Sequence, residues 1–176
     1  MIVNNERIAR MREVLEYRQE DLLLILDNIH DPHNASAILR SADAFGIDSA
    51  HFLYSHENQH DLSNGVSGHT LKWSNICIYN SIAELKNIIT ARKIPLVATV
   101  IGTDIKSYEQ RDWTLPGALV LGNEQNGCSE EILEIADELI TIPMRGFAQS
   151  LNVSVAAGII FSEMRRQREK KGMYTK

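Results

Sequence analysis

The chain has 176 residues, 44% of them apolar and 23% charged, with a formal net charge of -5. That length carries one domain with its own buried core and needs no disulfide or metal staple. The acidic balance excludes indiscriminate nucleic-acid binding through a uniformly basic surface; no run approaches the ~18 apolar residues of a membrane span, and no basic-then-apolar leader opens the chain, so a cytoplasmic protein with no membrane partner is expected.

Residues 4–20 put Ile8, Met11 and Leu15 on one helical face, which predicts an amphipathic helix packed on the main domain. The expected division is therefore an N-terminal helix over 1–20 and a single domain over 21–176. Leu22–Leu26 is a continuous apolar run suited to a buried strand, and Asp27–Asn34 with Pro32 reads as a polar loop. Ala35–Phe45 follows as a helix stopped by Gly46, and Ala50–Tyr54 as a second strand. The polar segment from Ser55 to Thr70 carries no periodic signal.

Trp73–Tyr79 alternates as a strand, and Ser81-Ile-Ala-Glu84 is a capping-box pattern that opens a helix to about Lys93. Pro95–Val100 predicts a buried strand, 102–116 an extended loop, and Ala118–Leu121 another strand. Ser129–Ala136 reads as a helix capped by its serine, Leu139–Ile142 as the final strand, and a long helix closes the chain. Strands alternating with helices predict an α/β fold, a mostly parallel sheet flanked by helices, without an internal repeat or linker.

In such sheets ligands gather beyond the C-terminal strand ends. Four strand exits carry small or polar residues there: Asn34–Arg40, Thr99–Gly102, Gly122–Gly127 and Pro143–Asn152. The Gly122 loop lacks the Lys-Ser/Thr of a P-loop, and no Gly-x-Gly-x-x-Gly marks a dinucleotide fold. In the last exit, Gln149-Ser-Leu-Asn152 opens an apolar, small-residue helix, whose free N–H groups suit a polar or anionic ligand.

Each candidate has a plain alternative. Arg40 is an ordinary surface cation or a fixed positive charge for a phosphate or developing oxyanion. Glu124 caps the next helix, sits in solvent or enters a site, and Ser150 and Asn152 are good helix-start residues whatever the function. His30 and His33 flank Pro32, which interrupts the helix that a histidine metal pair needs, so no metal site is expected. Cys77 and Cys128 are expected to be free thiols, and Trp73, Trp113 and the tyrosines core or rim residues. Residues 163–176 hold six basic side chains, Arg165, Arg166, Arg168, Lys170, Lys171 and Lys176. They form either a solvated helix end or, with Arg7, Arg10, Arg12 and Arg18, an RNA-facing patch.

Three segments taken in order, Asp31-Pro-His-Asn-Ala-Ser-Ala-Ile-Leu-Arg40, Leu121-Gly-Asn-Glu-Gln-Asn-Gly-Cys-Ser129 and Ile142-Pro-Met…Gly146…Ser150-Leu-Asn-Val-Ser-Val-Ala156, resemble motifs 1, 2 and 3 of the SpoU (TrmH) branch of the SPOUT RNA methyltransferases. The resemblance implies a deep C-terminal trefoil knot, one of the rare exceptions to unknotted chains. It also implies a homodimer with the active site at the interface, and S-adenosylmethionine as cofactor. Carried over by motif, Arg40, Asn34, Glu124, Ser150 and Asn152 form the catalytic set; Thr99, Leu121, Gly122, Ile142, Met144 and Leu151 contact the cofactor. The implied chemistry is methyl transfer to a ribose 2′-hydroxyl of RNA, with Arg40 either the base, its proton drawn off by a substrate phosphate, or a cation that stabilises the alkoxide.

Within the family the chain is most similar to the tRNA guanosine-18 enzymes, through Arg7-Ile-Ala-Arg-Met11, the stretch 27–48 and the tail 165–174. It departs from them by ending soon after the last helix and by placing Cys128 where Ile or Leu is common. Wobble-position tRNA or ribosomal RNA methylation is the alternative substrate, and a non-catalytic RNA-binding module the alternative of another class.

Overall fold

The computed structural model describes residues 5–55 and 75–174, without the side chain of Arg7. Trp73, Lys176 and most of the polar segment after Ser55 lie outside the described residues. The elements in chain order are α1 (Asn5–Glu16), β1 (Gln19–Asp27), α2 (Pro32–Ala44), β2 (Ile47–Leu53), β3 (Asn75–Tyr79), α3 (Ile82–Arg92), β4 (Leu96–Thr99), β5 (Lys106–Ser107), β6 (Gly117–Leu121), α4 (Glu130–Ile135), β7 (Glu138–Thr141) and α5 (Val153–Lys170). The seven strands form one sheet in the order β3-β2-β1-β6-β4-β7-β5. Every pairing is parallel.

The apolar run of β1 is explained by burial on both faces, as parallel sheets require. Leu22, Leu24 and Leu26 join Ile38 and Leu39 of α2 and Ala157 and Phe161 of α5 in one core. Leu23 and Ile25 join Leu85 and Ile89 of α3 and Ile132 of α4 in the other. The expected helix-flanked parallel sheet is thus what forms, with six of its strands anticipated and β5 not.

Several boundaries shift for identifiable reasons. Helix α1 stops at Glu16 and Gln19 already pairs with Ile47, so the strand starts inside the stretch predicted as helix. The apolar face of α1 does not pack down as expected within one chain: Ile8, Met11 and Leu15 are 37%, 37% and 65% exposed. Helix α2 begins at Pro32, because Asp31 accepts a hydrogen bond from the His33 N–H and proline suits a first turn that needs no donor. At α3, Ser81 accepts from the Glu84 N–H, and the Glu84 carboxylate accepts from the N–H of Asn80 rather than of Ser81. Ser129 precedes α4, but its side chain makes no capping bond.

The region 102–116 is a fastened strap, not a plain extended loop. It carries β5, a 3₁₀ turn over Tyr108–Gln110 and the fully buried Trp113. Trp113 donates its indole N–H to the Tyr108 carbonyl at 2.8 Å and lies under the Arg111 guanidinium, 4.4 Å from the ring centre. Helix α5 pins the strap. Arg168, fully buried, donates to the carbonyls of Trp113 and Leu115, to Gln19 Oε1 and to both carboxylate oxygens of Asp21. All five guanidinium donors are thereby used. One residue of the basic tail is therefore internal structure rather than a solvated helix end or part of a basic patch.

Candidate functional site

The C-terminal ends of β4, β6 and β7 open onto one cavity of about 460 Å³, within the range of small-molecule sites. Its wall includes Thr99, Leu121, Gly122, Ile142, Met144 and Leu151, together with Glu124 and Ser150. Ile101 and Gln149, which lie in the strand exits read as ligand-facing, also line it, as do Cys128 and Leu133. Of these, Leu133 is the one of which the sequence shows no sign, because it enters from helix α4 and not from a strand exit.

Backbone geometry shapes this wall. Asn123 and Gly127 exchange two main-chain hydrogen bonds, 2.8 and 2.9 Å, that fold the loop after β6 back on itself. A side chain at Gly122 would run into the backbone of Gly127 and Cys128, so only glycine permits the closure. Gly127 supplies the positive φ of 74°. Thr99 contributes less freely than a site threonine would, since its hydroxyl donates to the Val120 carbonyl at 2.9 Å. Cys128 is a buried free thiol that donates to the Thr99 carbonyl at 3.4 Å. Burial, then the charge of Asp27, pushes its pKa up to about 12. It lines the cavity as a neutral group and not as a nucleophile.

At the cavity edge three chain segments meet through side chains. Asn34 Nδ2 donates to Glu124 Oε1 at 2.9 Å, and Asn152 Nδ2 donates to Asn34 Oδ1 at 3.0 Å. Asn152 Oδ1 in turn accepts the Ser154 N–H at 2.9 Å, which caps α5. The polar residues of the β1, β6 and β7 exits thus form one continuous chain of hydrogen bonds, from a carboxylate to a helix start. Asn152 serves both as helix cap and as a link in this chain, so its two readings are compatible.

Arg40 is not in that chain. It is exposed, and among the described residues no hydrogen bond or ion pair holds it. Six residues separate it from Asn34 on α2, about 9 Å along the axis and well round the helix. The segment from Arg145 to Asn152 is exposed throughout, with Phe147 fully so, Leu151 at 37% and Val155, just beyond on α5, at 50%. No three His, Cys, Asp or Glu among the described residues are grouped to hold a metal ion, and no helix there is long and apolar enough to cross a membrane.

Comparison with known proteins gives a consistent result. The SpoU rRNA Methylase family model matches residues 21–162. The tRNA (guanosine(18)-2′-O)-methyltransferase of Aquifex aeolicus is 42% identical over 99% of the chain and 83% of its own length. The solved structure of the A. aeolicus TrmH/SpoU tRNA modifying enzyme superposes with a TM-score of 0.88 at 42% identity, covering 97% of this chain and 87% of that one. The SpoU methyltransferase AviRb of Streptomyces viridochromogenes, solved in complex with the cofactor AdoMet, superposes with a TM-score of 0.77 at 31% identity, over 86% of this chain and 59% of that one.

Proposed function

The chain belongs to the SpoU methylase family, and on that premise we propose that it transfers the methyl group of S-adenosylmethionine to the ribose 2′-hydroxyl of guanosine 18 in tRNA. The observation that carries this reading is the hydrogen-bonded chain Glu124–Asn34–Asn152 at the mouth of the cavity. The relatives' substrate favours tRNA over the ribosomal alternative, and a cavity with a built polar edge favours an enzyme over a binding module.

The cavity fits the cofactor. Ile101, Leu133 and Leu151 offer apolar walls for a purine, and the strand ends at Leu121–Gly122 and Ile140–Ile142 bring main-chain groups to its polar parts. Thr99, Leu121, Gly122, Ile142, Met144 and Leu151 would hold it. When bound, it supplies an electrophilic methyl group on a sulfonium centre.

The residues of the chain then have to orient a weak nucleophile and manage its proton. Asn34 is fixed on both sides, by Glu124 and by Asn152, so the start of α2 is set against the cavity before substrate arrives. Ser150 adds a hydroxyl on the cavity wall. Arg40, exposed and uncommitted within its own chain, supplies the positive charge for the forming alkoxide or an adjacent phosphate. Its distance from the Asn34 cluster supports an active site shared across a homodimer, in which Arg40 of one subunit serves the cavity of the other. The exposed apolar side chains Phe147, Leu151 and Val155 beside the cavity support the same arrangement.

Two further features complete the reading. A trefoil knot is supported by the path of the C-terminus: β7 lies outside β4, yet Ser150 and Leu151 line the same cavity as the Gly122–Gly127 loop and α5 returns to pack beside α2. We read the N-terminal helix as an addition to one methyltransferase domain that runs from residue 21 onward, its apolar face packed on that domain in the assembled protein. A cytoplasmic location follows from the tRNA substrate and suits the two free thiols.

The test is incubation with unmodified total tRNA and radiolabelled S-adenosylmethionine, followed by nuclease digestion and mapping of the label. We expect 2′-O-methylguanosine at the D-loop position. Label at the wobble nucleotide would keep the chemistry and overturn the substrate; cofactor binding with no labelled RNA would overturn the activity.

A further inference from the structure

Glu124 sits on a five-residue loop beside solvent, yet its bond to Asn34 demands a fixed position. The loop tip is held by Asn123, whose Oδ1 accepts the N–H groups of Gln125 at 2.8 Å and Asn126 at 3.1 Å. The same side chain reaches the other way: Asn123 Nδ2 donates to the carbonyl of Asn28 at 2.8 Å. Asn28 follows the last residue of β1 and has a left-handed φ of 51°, a conformation that asparagine tolerates better than most residues. Its amide donates to Asp27 Oδ1 at 2.8 Å, and its Oδ1 accepts the Ser55 N–H at 3.2 Å. Asp27 is fully buried and accepts the Ser129 N–H at 2.7 Å, which fastens the far end of the loop.

The loop is therefore tied at one end to Asn28 in the short connection between β1 and α2 and at the other to Asp27, the last residue of β1, and Asn34 lies in the first turn of that same α2. We infer that Asn123, anchored on the Asn28 carbonyl, is a positioning residue that sets Glu124 against Asn34 for methyl transfer. The inference rests on the function proposed above. It assigns a working role to a residue for which the sequence offers only a place in the Gly122–Gly127 loop.

Asn123→Asp is the discriminating substitution, because it keeps an acceptor for the loop-tip N–H groups but turns an acceptor toward the Asn28 carbonyl. Two quantities should be measured on the full chain. The first is the side-chain amide NMR signal of Asn34, identified by its loss in Asn34→Ala. In Asn123→Asp it should move to the position it takes in Glu124→Ala, where its acceptor is gone. The second is methyl transfer to tRNA: kcat should fall by about 10–100-fold, with cofactor affinity changed by less than about threefold. Added to Glu124→Ala, the substitution should cost less than about twofold more, since the two act through one contact.

An unmoved Asn34 signal in a folded Asn123→Asp protein, or a full additional loss on top of Glu124→Ala, would overturn the role. If Asn123→Asp does not fold, Asn123→Ser is read the same way, its hydroxyl being too short to reach Asn28. A wild-type protein that methylates no tRNA would sink the proposed function alone, because the NMR comparison needs no turnover.

Discussion

The two ends of the sheet carry polar networks of opposite design. At the N-terminal strand ends, Arg168 spends every donor on Asp21, Gln19 and two carbonyls and is sealed from solvent. At the C-terminal strand ends, Asn34, Glu124 and Asn152 hold one another in place while staying accessible, and Arg40 has no partner within the described residues. A saturated network can only stabilise. A network with unspent donors and acceptors beside a cavity is available for a substrate.

The sharpest way to break this contrast is to remove each arginine. Arg40→Ala should lower kcat by on the order of 10³-fold, while cofactor affinity and melting temperature stay near those of the wild type. Calorimetric titration with the cofactor checks the first half of that claim; if affinity disappears with turnover, Arg40 belongs to the cavity and not to the chemistry. Arg168→Met should do the reverse. Arg168 is buried and Asp21 partly exposed, so the substitution loses the guanidinium's hydrogen bonds to two carbonyls and Gln19 more than it strands a charge. A cost of about 2–4 kcal/mol, roughly 10 °C of melting temperature for a chain of this size, is expected, and turnover per folded molecule should persist. A thermal melt that barely moves would show that the pair is dispensable.

His51 sharpens the contrast from a third position. It is buried between Ser49 and Tyr79, stacked on the Tyr79 ring, and burial, with the charge of Arg92 a smaller cause, lowers its pKa to about 4. The unfolded chain takes up this proton first as pH falls, because its histidine titrates near 6.5. Stability from this group is therefore full above pH 6.5 and is lost between about 6.5 and 4, by at most roughly 3 kcal/mol. His51→Phe should flatten that part of a stability-against-pH curve; an unchanged slope would assign the acid sensitivity elsewhere.

The smallest effect separates two duties of one side chain. Asn152→Ala removes the α5 cap as well as the link to Asn34 and should cost about 1 kcal/mol of stability. Asn152→Asp keeps a capping acceptor and loses the donor, so its stability should hold while turnover falls. Equal melting losses in the two variants would mean that capping by Asn152 is not what stabilises the helix start.

Much of this was legible in the sequence. The continuous run Leu22–Leu26, the Ser81–Glu84 pattern and the small residues from Val153 onward report burial and capping directly, and local chemistry is what one-dimensional patterns record. The candidate cofactor residues came from the family resemblance and not from any local period, and the structure brings the six together around one cavity. What stayed hidden depends on pairs far apart in the chain. In sequence Arg168 is one more basic tail residue, and only the fold puts Asp21 and Trp113 beside it; Asn123 is one position of a loop, and only the fold brings the Asn28 carbonyl within its reach. Strand β5 is two residues long and exists because β7 offers it an edge, which no local period could announce.

The order of the sheet also says something about how such a molecule comes into being. Leu22 of β1 sits beside Gly117 of β6, and Ser150, Leu151, Val153 and Ile160 line the cavity. Contacts this distant in sequence form slowly and cannot begin as hairpins. On a ribosome the first four strands must wait, partly unpaired, until β6 arrives, and the cavity closes only when the last helix has emerged. Ligand binding can therefore stabilise only a chain that already includes α5, which leaves products stalled before it exposed to proteases.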